Sequence, residues 1–180
     1  NVIQLENIIK GEVRKSAERR IYDGFSFPVT TEQDVSFALK YARVQKPVPV
    51  NKAIEALSRI GREATWITDD DLKVQAELSG SPIKHMRKSI DAVNTWLANI
   101  ETYVLQNAKL YDLDSSEDSK TQVMLDHSGK LYRGGVTTMF VLAGDEVSIA
   151  PWNIAQALLA NSSAIIKPSR IEPLSAYLFT

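Results

Sequence analysis

Residues Val136–Ser169 read VTTMFVLAGDEVSIAPWNIAQALLANSSAIIKPS, and this stretch decides the fold. Val136–Leu142 is an unbroken apolar or β-branched run, the pattern of a strand buried on both faces. Ala143-Gly144-Asp145-Glu146 is a turn. Ser148 then offers an N-cap, and Pro151 falls in the first helical turn, where its missing N–H is tolerated. That helix carries Ile154, Ala157, Leu158 and Trp152 inward, and Asn161-Ser162 breaks it. Ser163–Ile166 is a second buried strand, followed by Lys167-Pro168-Ser169 and a helix with Pro173 near its start. The order β-α-β-α predicts two parallel strands joined by a right-handed crossover, and so an α/β fold class.

Upstream, the chain is mostly helical. Val2–Ile9, a turn at Lys10-Gly11-Glu12, and Val13–Phe27 predict an N-terminal hairpin or pair of strands. Thr30-x-x-Gln33 opens a helix with Val35, Ala38, Leu39 and Ala42 on one stripe, and Lys46-Pro47-Val48-Pro49 ends it. Asn51 is placed to cap a helix with Ile54, Leu57, Ile60, Ala64 and Ile67 on one face. Thr68-x-x-Asp71 is a second capping box, and Gly80 stops the helix it opens. Ser81-Pro82 starts a long helix, Ser as N-cap and Pro at the first position. Its stripe runs Ile83, Met86, Ile90, Val93, Leu97, Ile100, Val104 and predicts core packing, with a partner-binding zipper as the alternative. Asp112–Lys120 is a polar, acidic linker. Thr121–Leu125 and Lys130–Arg133 flank a hairpin turn with His127 at its solvent-facing tip.

Composition narrows the function classes. The 180 residues are 44% hydrophobic and 24% charged with a formal net charge of -1, so no basic field favours nucleic acid or an anionic membrane. No apolar run is long enough for a bilayer, and Asn1–Lys10 has no signal-peptide pattern, so a cytoplasmic location is expected. Asn161-Ser162-Ser163 formally matches a glycosylation acceptor, which carries little weight without a secretory signal. The chain has no cysteine, which excludes disulfides and thiolate chemistry within it; two distant histidines give no basis for a metal site.

Ligands of open α/β sheets bind beyond the carboxyl ends of the strands. Two turns lie there: Ala143–Glu146 and Lys167–Arg170. Lys167 offers a flexible cation, Ser169 a hydroxyl that can also cap the last helix, and Arg170 a fork suited to phosphate. The bland alternative is that both cations are merely solvated. Neither G-x-G-x-x-G nor a Walker A sequence is present.

Four stretches, taken in order, resemble the N-terminal part of the aldehyde dehydrogenase superfamily. Asp34-Val35 with Ala38 and Ala42 resembles its early "DV..A...A" helix, and Glu77-Leu78-Ser79-Gly80-Ser81-Pro82 its "E-x-G-K-P" junction. Trp152-Asn153-Ile154-Ala155-Gln156-Ala157-Leu158 is similar to "WKIAPAL", and Ile165-Ile166-Lys167-Pro168-Ser169 to "V-L-K-P-S". The last two also have the family spacing. Leu142-Ala143-Gly144-Asp145-Glu146-Val147 is closer to the "L-A-G-N-V-P" of the bacterial long-chain fatty acyl reductase branch.

The resemblance implies an NAD(P)-dependent oxidoreductase acting on a small-molecule aldehyde or acyl substrate through a thio-intermediate. It implies strands over 1–30, the helical part of a cofactor domain over 31–113, a linker and hairpin over 114–135, and the start of a Rossmann-like parallel NAD(P)-binding sheet over 136–180. Leu142, Ala143, Gly144, Lys167, Pro168, Ser169 and Arg170 are the implied cofactor-binding residues, with Lys167 and Ser169 beside the adenosine ribose. Asp145 falls where the branch has its oxyanion-stabilising Asn. An ionised Asp only accepts hydrogen bonds and would repel an oxyanion, so the usual catalytic route is in doubt there. Arg170 stands where many members have Glu, which tilts the expectation from NAD towards NADP. The catalytic Cys and general-base Glu would lie downstream, so this segment alone is expected to be inactive and poorly stable, its parallel sheet cut after two strands with an open edge and an uncovered apolar face. The N-terminal strands would support a homo-oligomer, as in relatives. An acyl-CoA or fatty acyl reductase and a non-catalytic nucleotide-binding module are the alternatives, and a helical scaffold binding through the Ile83–Val104 stripe is a third.

Overall fold

The computed structural model describes residues 2–9, 11–44, 48–104, 122–124, 130–132, 137–142, 144 and 146–180. Within them the chain is a mixed α/β protein. Five short strands come first: β1 (Ile3–Gln4), β2 (Asn7–Ile9), β3 (Glu12–Arg14), β4 (Arg19–Tyr22) and β5 (Phe25–Pro28). Four helices follow: α1 (Glu32–Val44), α2 (Val50–Glu63), α3 (Asp69–Ser79) and α4 (Ile83–Ala98). Residues 100–104 are helical again beyond a turn at Asn99. Then come β6 (Gln122–Met124), β7 (Lys130–Tyr132), β8 (Thr137–Val141), α5 (Ile149–Leu159), β9 (Ser163–Lys167) and α6 (Leu174–Leu178).

The N-terminal strands form two hairpins rather than one. β2 and β3 pair antiparallel across Gly11, whose φ is +72°. β4 and β5 pair antiparallel through Asp23-Gly24, with φ of 45° and 83°. Two successive residues at positive φ make the tight turn whose twist suits a hairpin, and Asp-Gly is the dipeptide that tolerates it. β1 adds in parallel to β5. Arg19 locks this sheet. Its guanidinium donates to both carboxylate oxygens of Glu6 at 2.9 Å, to the Ser26 hydroxyl at 2.8 Å, and to the carbonyls of Leu5 and Ser26. Leu5 and Phe25 then pack on Leu174 of α6, which attaches the sheet to the other end of the chain.

The helical core forms around α4. Met86, Ile90, Val93, Leu97 and Ile100 are all at most 5% exposed, so the stripe packs as core within the chain. Leu57 of α2 and Ala155 of α5 pack on its second half, and Ile67, Leu72 and Val147 on its first. The α2–α4 crossing is tight at Gly61. A Cβ there would sit 2.3 Å from the backbone nitrogen of Ala98.

Several helix ends differ from expectation by one register. The first box is Thr31 with Asp34, not Thr30 with Gln33: Asp34 accepts from the Thr31 N–H, and Thr31 accepts from the Asp34 N–H. Asn51 does not cap α2, because the helix begins at Val50 after Pro49 and the Asn51 side chain turns to the Lys52 N–H. Ala64 leaves the apolar face to become the left-handed C-cap at φ 51°. Pro82, not Ser81, is the N-cap of α4. Thr68-x-x-Asp71 and Gly80 match expectation in full.

β8 and β9 pair in parallel, Thr137 opposite Ser163 through Val141 opposite Lys167. β8 is not buried on both faces. Its exposure alternates, with Met139 and Val141 at 62% and 65%. Among the described residues the sheet has two strands, and only one face of β8 is covered. Trp152 is likewise not inward: it is 37% exposed and stacks on Trp96 at 4.0 Å between ring centroids. β6 and β7 form the expected hairpin, Gln122 opposite Tyr132. His127 at its tip and the Asp112–Lys120 linker lie outside the described residues.

Gly61 gives a test of the α2–α4 crossing. Gly→Ala at an ordinary helix interior stabilises by about 0.5–1 kcal/mol. Here Gly61→Ala is expected to destabilise by about 2 kcal/mol, because the new methyl meets backbone that cannot turn aside. Urea unfolding of the two proteins measures the sign directly.

Candidate functional site

The carboxyl ends of β8 and β9 lie side by side. The Leu142 N–H donates to the Lys167 carbonyl at 2.9 Å, extending the ladder one residue beyond Val141. Leu142, which leads into the first expected turn, therefore lies beside Lys167, which starts the second. Gly144 has φ +89° and nothing within 4 Å of where a Cβ would be, so Gly144 is open to solvent. Ala143 and Asp145 lie outside the described residues. Lys167 and Arg170 are exposed, and Pro168 is half-buried. The Arg170 guanidinium carbon stands 5.5 Å from the Tyr22 ring centroid, which ties it to β4.

Ser169 does not cap the last helix. It is 7% exposed, and its hydroxyl accepts from the N–H groups of Ile171 and Glu172 at 3.1 and 3.5 Å. It closes a local Ser turn instead, a standard use of a hydroxyl that accepts from N–H groups two and three residues ahead of it. The capping oxygen at α6 comes from Glu172. Its carboxylate accepts from the Ser175 N–H at 2.9 Å and from the Ser175 hydroxyl. Glu172 is 4% exposed. Burial raises its pKa, the Ser175 hydrogen bonds oppose that, and nearby Glu146 adds to the rise; the net shift is upward.

The start of α5 has the same design. Ser148 is at the N-cap position but its side chain caps nothing. Its N–H and hydroxyl instead donate to Glu146 at 3.2 and 3.1 Å. The other Glu146 oxygen lies 3.1 Å from Nε2 of His85 on α4. Burial alone would raise the Glu146 pKa, but hydrogen bonds from Ser89, Ser148 and His85 outweigh it, and the net shift is downward.

The sequence reading names the two turns but misses most of the groups that organise them. Glu146 enters it only as the end of a turn, and Glu172, His85 and Gln75 are given no role there. Gln75 is fully buried and donates from Nε2 to the Ile171 carbonyl at 2.7 Å, anchoring the Lys167–Glu172 loop to α3. Its Oε1 is buried with no hydrogen-bond partner among the described residues. Only the Glu172-x-x-Ser175 spacing, a carboxylate ahead of a helix, carries a local signal.

A cavity of about 400 Å³ lies elsewhere, along β9, β2, α1 and α5. Lys167, Ser169 and Arg170 are not on its wall. Among the described residues, no group of three or more His, Asp or Glu side chains could hold a metal, and no helix is long and apolar enough to cross a membrane. The sequence matches no protein-family model, and no curated protein matches it.

The two glutamates give opposite pH signatures. Glu172 has a raised pKa, so its contribution to stability is full below about 4.5 and is lost as pH rises through its folded value. Glu146 has a lowered pKa, so its contribution is present above about 4.5 and is lost as pH falls through its folded value. Thermal unfolding across pH should show Glu172→Gln gaining stability over the parent as pH rises to 7. Glu146→Gln should lose stability at pH 7 and converge with the parent in acid.

Proposed function

We propose that this chain is the N-terminal part of an aldehyde-dehydrogenase-like NAD(P)-dependent oxidoreductase, and that it contributes the adenosine end of the cofactor site. The observation that supports the reading is the Leu142–Lys167 hydrogen bond, which brings the carboxyl ends of β8 and β9 side by side. Lys167 and Arg170, exposed at that edge, fit a phosphorylated ribose. Ser169 fits less well, because its hydroxyl is buried and engaged by Ile171 and Glu172. In the superfamily this cofactor carries hydride to or from a thio-intermediate. The chain has no cysteine, so the proposal assigns it cofactor contacts and not the covalent step. Aldehyde oxidation and acyl reduction share that intermediate and are not separated by these residues.

The second reading is a nucleotide-binding module without catalysis. It is favoured by Asp145 at the position of the oxyanion Asn and by two helix starts already filled with carboxylates.

Calorimetric titration with adenosine 2′,5′-bisphosphate and with 5′-AMP tests the cofactor reading. The 2′-phosphorylated ligand is expected to bind more tightly, and Arg170→Glu to remove that preference by about tenfold. Lys167→Ala should weaken both ligands. Comparable affinities would sink the preference for NADP, and binding of neither would sink the adenosine site itself.

A further inference from the structure

Tyr22 stands directly opposite Phe25 in the β4–β5 register, and residues directly opposite each other put their side chains on the same face of the sheet. Phe25 is fully buried on that face and packs with Leu5 on Leu174. The same face brings Tyr22 to the segment just before Leu174, where the Arg170 guanidinium lies over its ring at 5.5 Å. Phe27, two residues along β5 from Phe25 and so on the same face, packs against the Tyr22 ring with 6.2 Å between centroids.

Both partners stand on fixed backbone. Tyr22 leads into the Asp23-Gly24 turn, and Gly24 is so close to α3 that a Cβ there would come 2.5 Å from the Leu78 side chain. On the other side, the buried Ser169 hydroxyl accepts from the Ile171 N–H, and the Ile171 carbonyl accepts from Gln75. Arg170 lies between these two anchors, with its side chain exposed.

Arg19 and Arg170 use their donors differently. Arg19 spends its guanidinium on Glu6, Ser26 and the Leu5 carbonyl. Among the described residues no carboxylate forms an ion pair with Arg170. An aromatic ring attracts a guanidinium through the face of the ring and consumes none of its five N–H donors. The Tyr22 contact therefore restricts where the guanidinium goes and leaves its fork free for a phosphate.

We propose that Tyr22 is a positioning residue for Arg170, and that through it the N-terminal sheet takes part in selecting a dinucleotide with a 2′-phosphate on its adenosine ribose. The inference rests on the cofactor reading above and adds to it a residue from the other end of the chain. A free Arg side chain loses rotamer freedom when it grips a phosphate, and Tyr22 removes part of that loss beforehand. A ligand without the 2′-phosphate gains nothing from this, so Tyr22 acts on the ratio of the two affinities.

Calorimetric titration of the whole chain and its variants with adenosine 2′,5′-bisphosphate and with 5′-AMP reads that ratio. Tyr22→Leu is expected to lower it about threefold, the size of a cation–π contact at an exposed site. Tyr22→Phe keeps the ring and should keep the ratio. Tyr22→Gln, a second ringless variant, should match Tyr22→Leu. In an Arg170→Gln background, Tyr22→Leu should move the ratio no further, because the group it positions is gone. A parent that prefers the 2′-phosphorylated ligand, with a ratio unmoved by Tyr22→Leu and Tyr22→Gln, overturns the inference and leaves the cofactor reading standing. So does equal weakening of both ligands, the mark of a merely structural role. A parent without preference overturns the inference together with the NADP assignment, and a parent that binds neither ligand overturns it together with the adenosine site.

Discussion

The apolar stripe of α4 is the constraint on which the rest depends. Met86 and Ile90 bury Val147, next to Glu146 at the start of α5. Val93, Leu97 and Ile100 bury Ala155 in the middle of the same helix. One helix thus fixes both the position and the rotation of α5, and with it the turn that follows β8. Each fully buried aliphatic side chain in this seam contributes about 1.5–3 kcal/mol relative to exposure. The close approach at Gly61 adds α2 to the other flank, so the seam is clamped from two sides. His85, one turn into α4, then reaches Glu146 because the apolar seam has already set the distance.

The loop after β9 is held differently, through polar groups and a second, smaller core. Gln75 anchors Ile171, Ser169 folds the loop on itself, and Glu172 closes the start of α6. Leu174 delivers the loop to Leu5 and Phe25. The N-terminal sheet is therefore a support for the candidate site, although it lies at the opposite end of the sequence. Arg19 ties that support together by hydrogen bonds to Glu6 and to the carbonyls of Leu5 and Ser26.

What was legible in the sequence is what is local. Thr68, Asp71 and Gly80 are read correctly because a capping box and a left-handed glycine need only neighbouring residues. The α4 stripe is read correctly because its period repeats over many turns. Thr30-x-x-Gln33 and Thr31-x-x-Asp34 fit the same template, and the shorter carboxylate of Asp34 decides between them by reaching back to the Thr31 N–H. Ala64 in a left-handed cap has no sequence signal, since only glycine and asparagine advertise that conformation. The Asp23-Gly24 turn does advertise itself, and treating Val13–Phe27 as one stretch hides it. β8 is over-read: VTTMFVL has the composition of a strand covered twice, but coverage depends on what else packs there. The roles of Glu146 and Glu172 are illegible for the same reason. A glutamate finds its partners in three dimensions, and His85 is 61 residues from Glu146.

These two carboxylates bear on where an anion can sit. The start of a helix attracts negative charge because its first N–H groups lack partners. At α5 and α6 the protein fills that position itself, with Glu146 and Glu172. The two are close enough that the charge on Glu146 raises the pKa of Glu172. An incoming phosphate would meet the Glu146 carboxylate at the start of α5, a start of α6 already occupied by Glu172, and exposed cations at Lys167 and Arg170. Arg170 is held there against Tyr22, outside the carboxylate pair. On the proposed cofactor reading, the ribose phosphate would lie outward on the rim, rather than with a pyrophosphate on a helix start as the glycine-rich motif arranges. The absence of G-x-G-x-x-G goes with two helix starts occupied by glutamates and with exposed cations, Lys167 and Arg170, on the loop that follows β9.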